Sequence, residues 1–121
     1  MYKILNLTPH ILNVRTHRGD VLAISPSGEI ARVEIKEEWT RNVHIDNGGG
    51  EDHLSVLTRK AGEVVGLPND LPGTVYIVSG MVQSHPEVRE RADVFSPGPL
   101  IRNDQGQPTG CDGLYGAKVL V

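Results

Sequence analysis

The sequence predicts a mainly β protein, a β-rich α+β fold in one compact domain. Short antiparallel strands and one or two short helices near residues 80–92 are expected. Three observations carry this. The 121 residues include 14 glycines and 8 prolines, above average usage, so turn chemistry is abundant. Apolar residues come in short aliphatic runs bounded by turn residues, not at sustained helical spacing. The aromatics are only Tyr2, Trp39, Tyr76, Phe95 and Tyr115, so the core must be aliphatic. A length near 120 is that of one domain.

The first strand spans Tyr2 to Leu7. Thr8-Pro9-His10 breaks it, because Pro9 lacks a donor and holds Thr8 extended. A second apolar run, Ile11 to Val14, turns at His17-Arg18-Gly19-Asp20 and returns as Val21 to Ile24. Pro26-Ser27-Gly28 is another turn. Ile30, Val33 and Ile35, with charges between them, read as a half-exposed strand. Lys36 to Arg41 either continues or bends away, and Val43 and Ile45 alternate with His44 as a strand would. Asp46 to Asp52 is an acidic, glycine-rich loop with three consecutive glycines, expected to be flexible. Leu54–Thr58 and Glu63–Leu67 read as two short strands. The rigid turn Pro68 to Gly73 precedes the strongest strand, Thr74 to Val78. Met81 to Ala92 is the helical stretch, shortened by Pro86 to about Ser84–Arg91. Asp93 to Pro99 reads as irregular, Leu100–Arg102 as a strand and Asp104–Gln107 as a turn. The apolar end, Ala117 to Val121, is expected to join the sheet.

The net charge is −3, with twelve basic and fifteen acidic residues. That balance argues against duplex nucleic acid as the main partner, which would require many phosphate contacts. The single cysteine, Cys111, excludes an internal disulfide and fits a reducing compartment. No apolar run approaches a membrane span and no cleavable leader is evident, so a cytoplasmic, non-membrane protein is expected.

Strong catalytic motifs are absent from the sequence. There is no Gly-rich phosphate loop ending in Lys-Ser or Lys-Thr. Val78-Ser79-Gly80 lacks the first glycine of a nucleophile elbow, so Ser79 reads as a strand end or helix cap. His10, His17, His44, His53 and His85 have no zinc spacing. His44, Asp46, Glu51, Asp52 and His53 crowd one loop, which reads as solvated acidic surface. No metal and no cofactor are expected. Two features stand out instead. Thr8-Pro9-His10 could fix two polar side chains at a sheet edge or pocket rim. Arg89, Arg91, Asp93 and Arg102 flank the stiff corner Pro97-Gly98-Pro99, an arrangement suited to clamping an anion.

Asn6-Leu7-Thr8-Pro9-His10 resembles the opening of small phage and prophage proteins of mostly unknown function. Val75–Gly80, Arg91-Ala92-Asp93-Val94 and Pro97-Gly98-Pro99 resemble later segments of that group, while Lys36 to Lys60 has no counterpart. A looser likeness is to phage anti-defence sponges of the anti-Thoeris and anti-CBASS type. Those proteins sequester nucleotide immune signals without cleaving them, usually as oligomers. The resemblance implies a cytoplasmic homo-oligomer in a bacterial host that binds a cyclic nucleotide or cyclic ADP-ribose derivative. In that scheme Arg91 and Arg102 meet phosphate, with Arg89 in reserve, and Thr8, His10, Ser79 and Asp93 bond ribose or base. The rival expectations are a small hydrolase or lyase using His10 or His85, and a phage structural or protein-interaction module.

Overall fold

The computed structural model describes residues 1–117. The expected apolar end at Ala117 to Val121 therefore falls almost wholly outside the described residues. The chain is strand-rich with one short helix, as its composition predicts. By contacts it divides into two units, Met1–Val33 with Val64–Val121, and Glu34–Glu63.

The larger unit holds two four-stranded sheets. In the first, the order is β1 (Lys3–Asn6), β6 (Thr74–Ile77), β7 (Val94–Pro97) and β10 (Leu114–Tyr115). β6 runs parallel to both β1 and β7, and β10 is antiparallel to β7. In the second, the order is β3 (Val21–Ile24), β2 (Leu12–Arg15), β9 (Pro108–Asp112) and β8 (Leu100–Arg102). There β2 is parallel to β9, and the two outer pairs are antiparallel. The sheets are thus mixed rather than wholly antiparallel.

β6 is buried along its whole length, which is the signature of a central parallel strand apolar on both faces. Tyr76, together with Val78 just beyond the strand, belongs to the core with Leu7, Ala31, Val33, Val82, Val88 and Val94. Val75, on the other parity, pairs with Ile4 and looks to the opposite face.

The helix α1 covers only Gly80–Ser84. Ser79 caps it, its Oγ accepting from the Val82 amide at 3.3 Å. His85 leaves the helix at φ −60°, ψ 139°, the extended geometry imposed on a residue before proline. Residues 86–90, the body of the expected Ser84–Arg91 helix, form turns instead, and the helix lies on the N-terminal side of Pro86. The stretch expected to be irregular after Asp93 is instead strand β7.

The smaller unit lies within one long hairpin. β4 (Arg32–Asp46) and β5 (Glu51–Val65) each run fifteen residues, where shorter, broken strands were expected. The acidic, glycine-rich segment 46–52 is its tip. The Asn47 amide donates to the Gly50 carbonyl at 2.9 Å, and Gly48 takes φ 68°.

Asn6 joins the sheets of the larger unit. Its side chain is buried, and both ends of the amide are satisfied. Oδ1 accepts from the Thr8 amide at 2.9 Å and the Thr8 hydroxyl at 2.7 Å. Nδ2 donates to the carbonyls of His10 at 2.8 Å and Ile24 at 3.1 Å. Replacing Asn6 by Ala leaves these buried groups unpaired. Chemical denaturation should show a loss of about 2–4 kcal/mol. Asn6→Asp should be at least as damaging at neutral pH, because a carboxylate oxygen would face two carbonyl oxygens. An Asn6→Asp protein as stable as wild type would refute this account of the joint.

Candidate functional site

The second face of the β1–β6–β7–β10 sheet is the starting point. Ile4, Val75 and Phe95 alternate with core-facing neighbours and leave the same side of the sheet. With Leu114 of β10 they line a depression of about 600 Å³. Tyr2, ahead of β1, and Leu71-Pro72-Gly73, ahead of β6, also line it. Prolines at 68 and 72 stiffen that turn. The Tyr76 hydroxyl fastens it from below by donating to the Asn69 carbonyl at 3.3 Å.

One end of the depression is polar. Asp70, Ala92 and Asp93 belong also to an adjoining hollow of about 500 Å³, completed by Asn69 and Arg91. Arg91 grips Asp93 in a forked pair, Nε to Oδ1 at 3.0 Å and Nη2 to Oδ2 at 2.7 Å. Its Nη1 donates to the Pro68 carbonyl at 3.0 Å, tying the stiff turn to the start of β7. Three of five guanidinium N–H groups are so committed, which leaves two for a ligand. The pairing raises the Arg91 pKa, chiefly through the hydrogen bond to Asp93. The same bond holds the Asp93 carboxyl below the usual range. The polar end therefore offers the ionised Asp93 carboxylate beside a partly free guanidinium, with the Asp70 side chain adjoining.

The residues singled out in the sequence do not gather around the Pro97–Pro99 corner. Thr8 is buried and bonded to Asn6, so it is part of the joint between sheets. His10 is exposed, its amide donating to the Thr8 hydroxyl at 3.4 Å. Ser79 is a helix cap. Arg89 is exposed on the turns after α1. Arg102 lies on β8 in the other sheet, where its Nη1 donates to the Gly106 carbonyl at 2.8 Å and props the 103–107 turn. Of the charged residues only Arg91 and Asp93 meet, and Thr8 and His10 touch each other within the joint.

The corner itself is closed by backbone. The Gly98 amide donates to the Gly113 carbonyl at 3.0 Å, and the Asp112 amide to the Pro99 carbonyl at 2.8 Å. A Cβ on Gly98 would collide with the Asp112 carbonyl oxygen, so no ligand group fits between those strands.

Sequence reasoning overlooked Tyr2, Asp70 and Leu71. The available signal was the stiff Pro68–Gly73 turn abutting a strand with no polar face. Of the aromatics, Tyr2 and Phe95 line the depression, whereas Tyr76 is core and Trp39 belongs to the hairpin.

At the hairpin tip, His44 Nδ1 lies 2.9 Å from Glu51 Oε1, and Asp52 accepts from Asn47 Nδ2 at 3.1 Å and the His53 amide at 2.8 Å. Among the described residues no group of three or more His, Cys, Asp or Glu side chains converges as a metal site. No helix among them is long and apolar enough to cross a membrane. No protein-family model, curated protein or solved structure matches the chain.

The Arg91–Asp93 pair has a thermodynamic signature. A carboxyl whose pKa is depressed by folding stabilises the protein above its unfolded pKa, about 3.9 for Asp. That stability is lost as pH falls through the lower, folded value. Solvent at the mouth screens the pair, so its contribution is about 1 kcal/mol. Denaturation in wild type and Asp93→Asn should show the difference at pH 6 and its disappearance once pH is well below about 3.9. An unchanged gap across that range would show that the pair is not the cause.

Proposed function

We propose that this protein binds and sequesters a small nucleotide-derived ligand in the depression on the second face of the β1–β6–β7–β10 sheet. The observation that carries this reading is the pairing of an apolar hollow with a preorganised polar end. Small-molecule sites typically occupy about 300–1,000 Å³, mostly apolar, with a few convergent polar groups. This depression has that size and that division.

The chemistry of the ends suggests a binding pose. A base lies on the aliphatic floor between Phe95 and Tyr2, which supplies the aromatic contact. Ribose hydroxyls donate to the carboxylates of Asp93 and Asp70. The two uncommitted N–H groups of Arg91 bond a phosphate oxygen. With two carboxylates to one guanidinium, hydroxyl and amino groups are the favoured contacts at this end, and a single phosphate contact is what Arg91 can supply. The resemblance to phage proteins and the analogy to signal-binding sponges support a cyclic nucleotide or cyclic ADP-ribose derivative as ligand. They also support a role against immune signalling in the host cytoplasm.

Calorimetric titration with cyclic dinucleotides and cyclic ADP-ribose isomers should give heat with at least one of them. Tyr2 is 72% exposed, so Tyr2→Ala should keep the fold yet weaken binding about 10-fold. Arg102→Ala should bind as wild type does, which separates this site from a clamp at the Pro97–Pro99 corner. Ligand recovered after heat denaturation should have its original mass; an altered mass would turn the reading towards an enzyme. No heat from folded protein with any member of the panel would overturn the proposal.

A further inference from the structure

The chain holds one Asn-Gly step, Asn47-Gly48, and one Asp-Gly step, Asp112-Gly113. At such steps a peptide most readily turns on itself. Glycine carries no side chain, so its backbone nitrogen can reach the carbonyl carbon of the preceding side chain and close a cyclic imide. The fold leaves one of these steps open and locks the other.

We propose that Asn47-Gly48 is a site of spontaneous covalent modification, at which the folded protein converts an asparagine into aspartyl and isoaspartyl residues. Asn47 and the three glycines after it are exposed at the hairpin tip. Gly48, at φ 68°, is the first central residue of the 47–50 turn. Its amide has no hydrogen-bond acceptor among the described residues, and a Cβ built on it would meet nothing within 4 Å. The Asn47 carboxamide has one restraint, Nδ2 donating to Asp52 Oδ2 at 3.1 Å between exposed partners.

Water is the only co-reactant the step needs. The Gly48 nitrogen loses its proton and bonds to Asn47 Cγ. The Cγ–Nδ2 bond breaks, and ammonia leaves with that proton. Water then opens the imide. Attack at Cγ gives an aspartyl residue, and attack at the backbone carbonyl gives an isoaspartyl residue, whose chain runs through Cγ. Either product adds a negative charge to a tip that already carries Asp46, Glu51 and Asp52. The isoaspartyl form also lengthens a loop whose size sets the hairpin register, so the bond from the Asn47 amide to the Gly50 carbonyl is lost.

At Asp112-Gly113, Arg15 holds both reacting groups. Its guanidinium donates from Nε to Oδ1 at 3.3 Å and pairs Nη2 with Oδ2 at 3.1 Å, while its carbonyl accepts from the Gly113 amide at 3.2 Å. Closure there must expel water from a protonated carboxyl. The hydrogen bond to Arg15 holds the Asp112 carboxyl below the usual range, in its ionised form. The other asparagines are hindered too. Asn6 is buried and fully bonded, and Asn103 Oδ1 accepts from the amides of Gln105 at 2.9 Å and Gln107 at 3.0 Å. Asn13 and Asn42 precede valines and Asn69 precedes an aspartate, whose side chains crowd the attacking nitrogen.

The test is to age the wild-type protein for days, native and in denaturant, and to map it with trypsin and mass spectrometry. The asparagines fall in tryptic peptides 4–15, 42–59, 61–89 and 103–118. At mildly alkaline pH the native sample should lose ammonia first from peptide 42–59. Fragmentation should place the change at residue 47, in two separable products, while the other asparagines are still intact. At mildly acidic pH, peptide 103–118 should split chromatographically at constant mass in denaturant but not in the native sample. Arg15→Gln should bring that split into the native sample; should the variant misfold by circular dichroism, the wild-type pair decides alone. Asn47 surviving in the native protein after another asparagine has reacted would overturn the proposal. So would Asp112 isomerising as fast in the native protein as in denaturant, since the fold would then not choose between the two steps.

Discussion

The Asn6 carboxamide is the constraint on which the larger unit depends. It is buried at the end of β1, where the chain must leave one sheet and enter the other. A buried amide has two donors and two lone-pair directions to satisfy, and leaving any unmade is expensive. Here Thr8, His10 and Ile24 satisfy them from the turn and from β3. The Asn6 carbonyl also accepts from the Ser27 amide, and Leu7 on either side of its peptide bonds Ile77 and Ala31. One side chain thereby sets the distance between two sheets that share no continuous strand. Pro9 fits the same scheme, since it holds Thr8 extended and needs no donor partner of its own.

The strand-rich class was legible because each short aliphatic run had turn residues on both sides. Strand direction was not legible. Parallel pairing of β1 with β6, and of β2 with β9, depends on residues far apart in sequence that leave no local mark. The hairpin was read in fragments because alternation shows in sequence only when one face is buried. Lys36-Glu37-Glu38 lies in a ribbon exposed on both sides, so polarity there has no period to follow. β9, Pro108 to Asp112, has no aliphatic residue and gave no signal. Pro86 was read as a first-turn residue of a helix running on to Arg91, whereas the helix ends before it: the backbone turns extended at His85, the residue preceding the proline.

The site was legible only in part, for a related reason. Arg91 and Asp93 stand two residues apart, and an Arg and an Asp so placed after a helix can pair wherever they sit. Their neighbours in space, Tyr2 and Leu71, come from positions that a sequence places at a terminus and in a turn. Rigid proline corners were the right feature to weigh, since stiff backbone orders a pocket at little entropic cost. The corner at Pro68 does border a hollow. Pro97 also borders a smaller hollow, with Leu12 and Leu100, but the corner's Gly98 is packed against Asp112 and Gly113, where only glycine allows so close an approach.

The pairing of β1 with β6 also governs the order in which the protein can assemble. Lys3 to Asn6 find their partners at Thr74 to Ile77, some seventy residues later. During synthesis the first strand leaves the ribosome with both edges open, and it stays so until most of the chain has followed. The β2–β3 turn can close at once, because its partners are local. The long hairpin can also zip locally during that interval. The core around Tyr76 forms only when β6 arrives, so the loop it closes makes topology the slow step of folding. Until then the edge of β1 that β6 will cover has no partner.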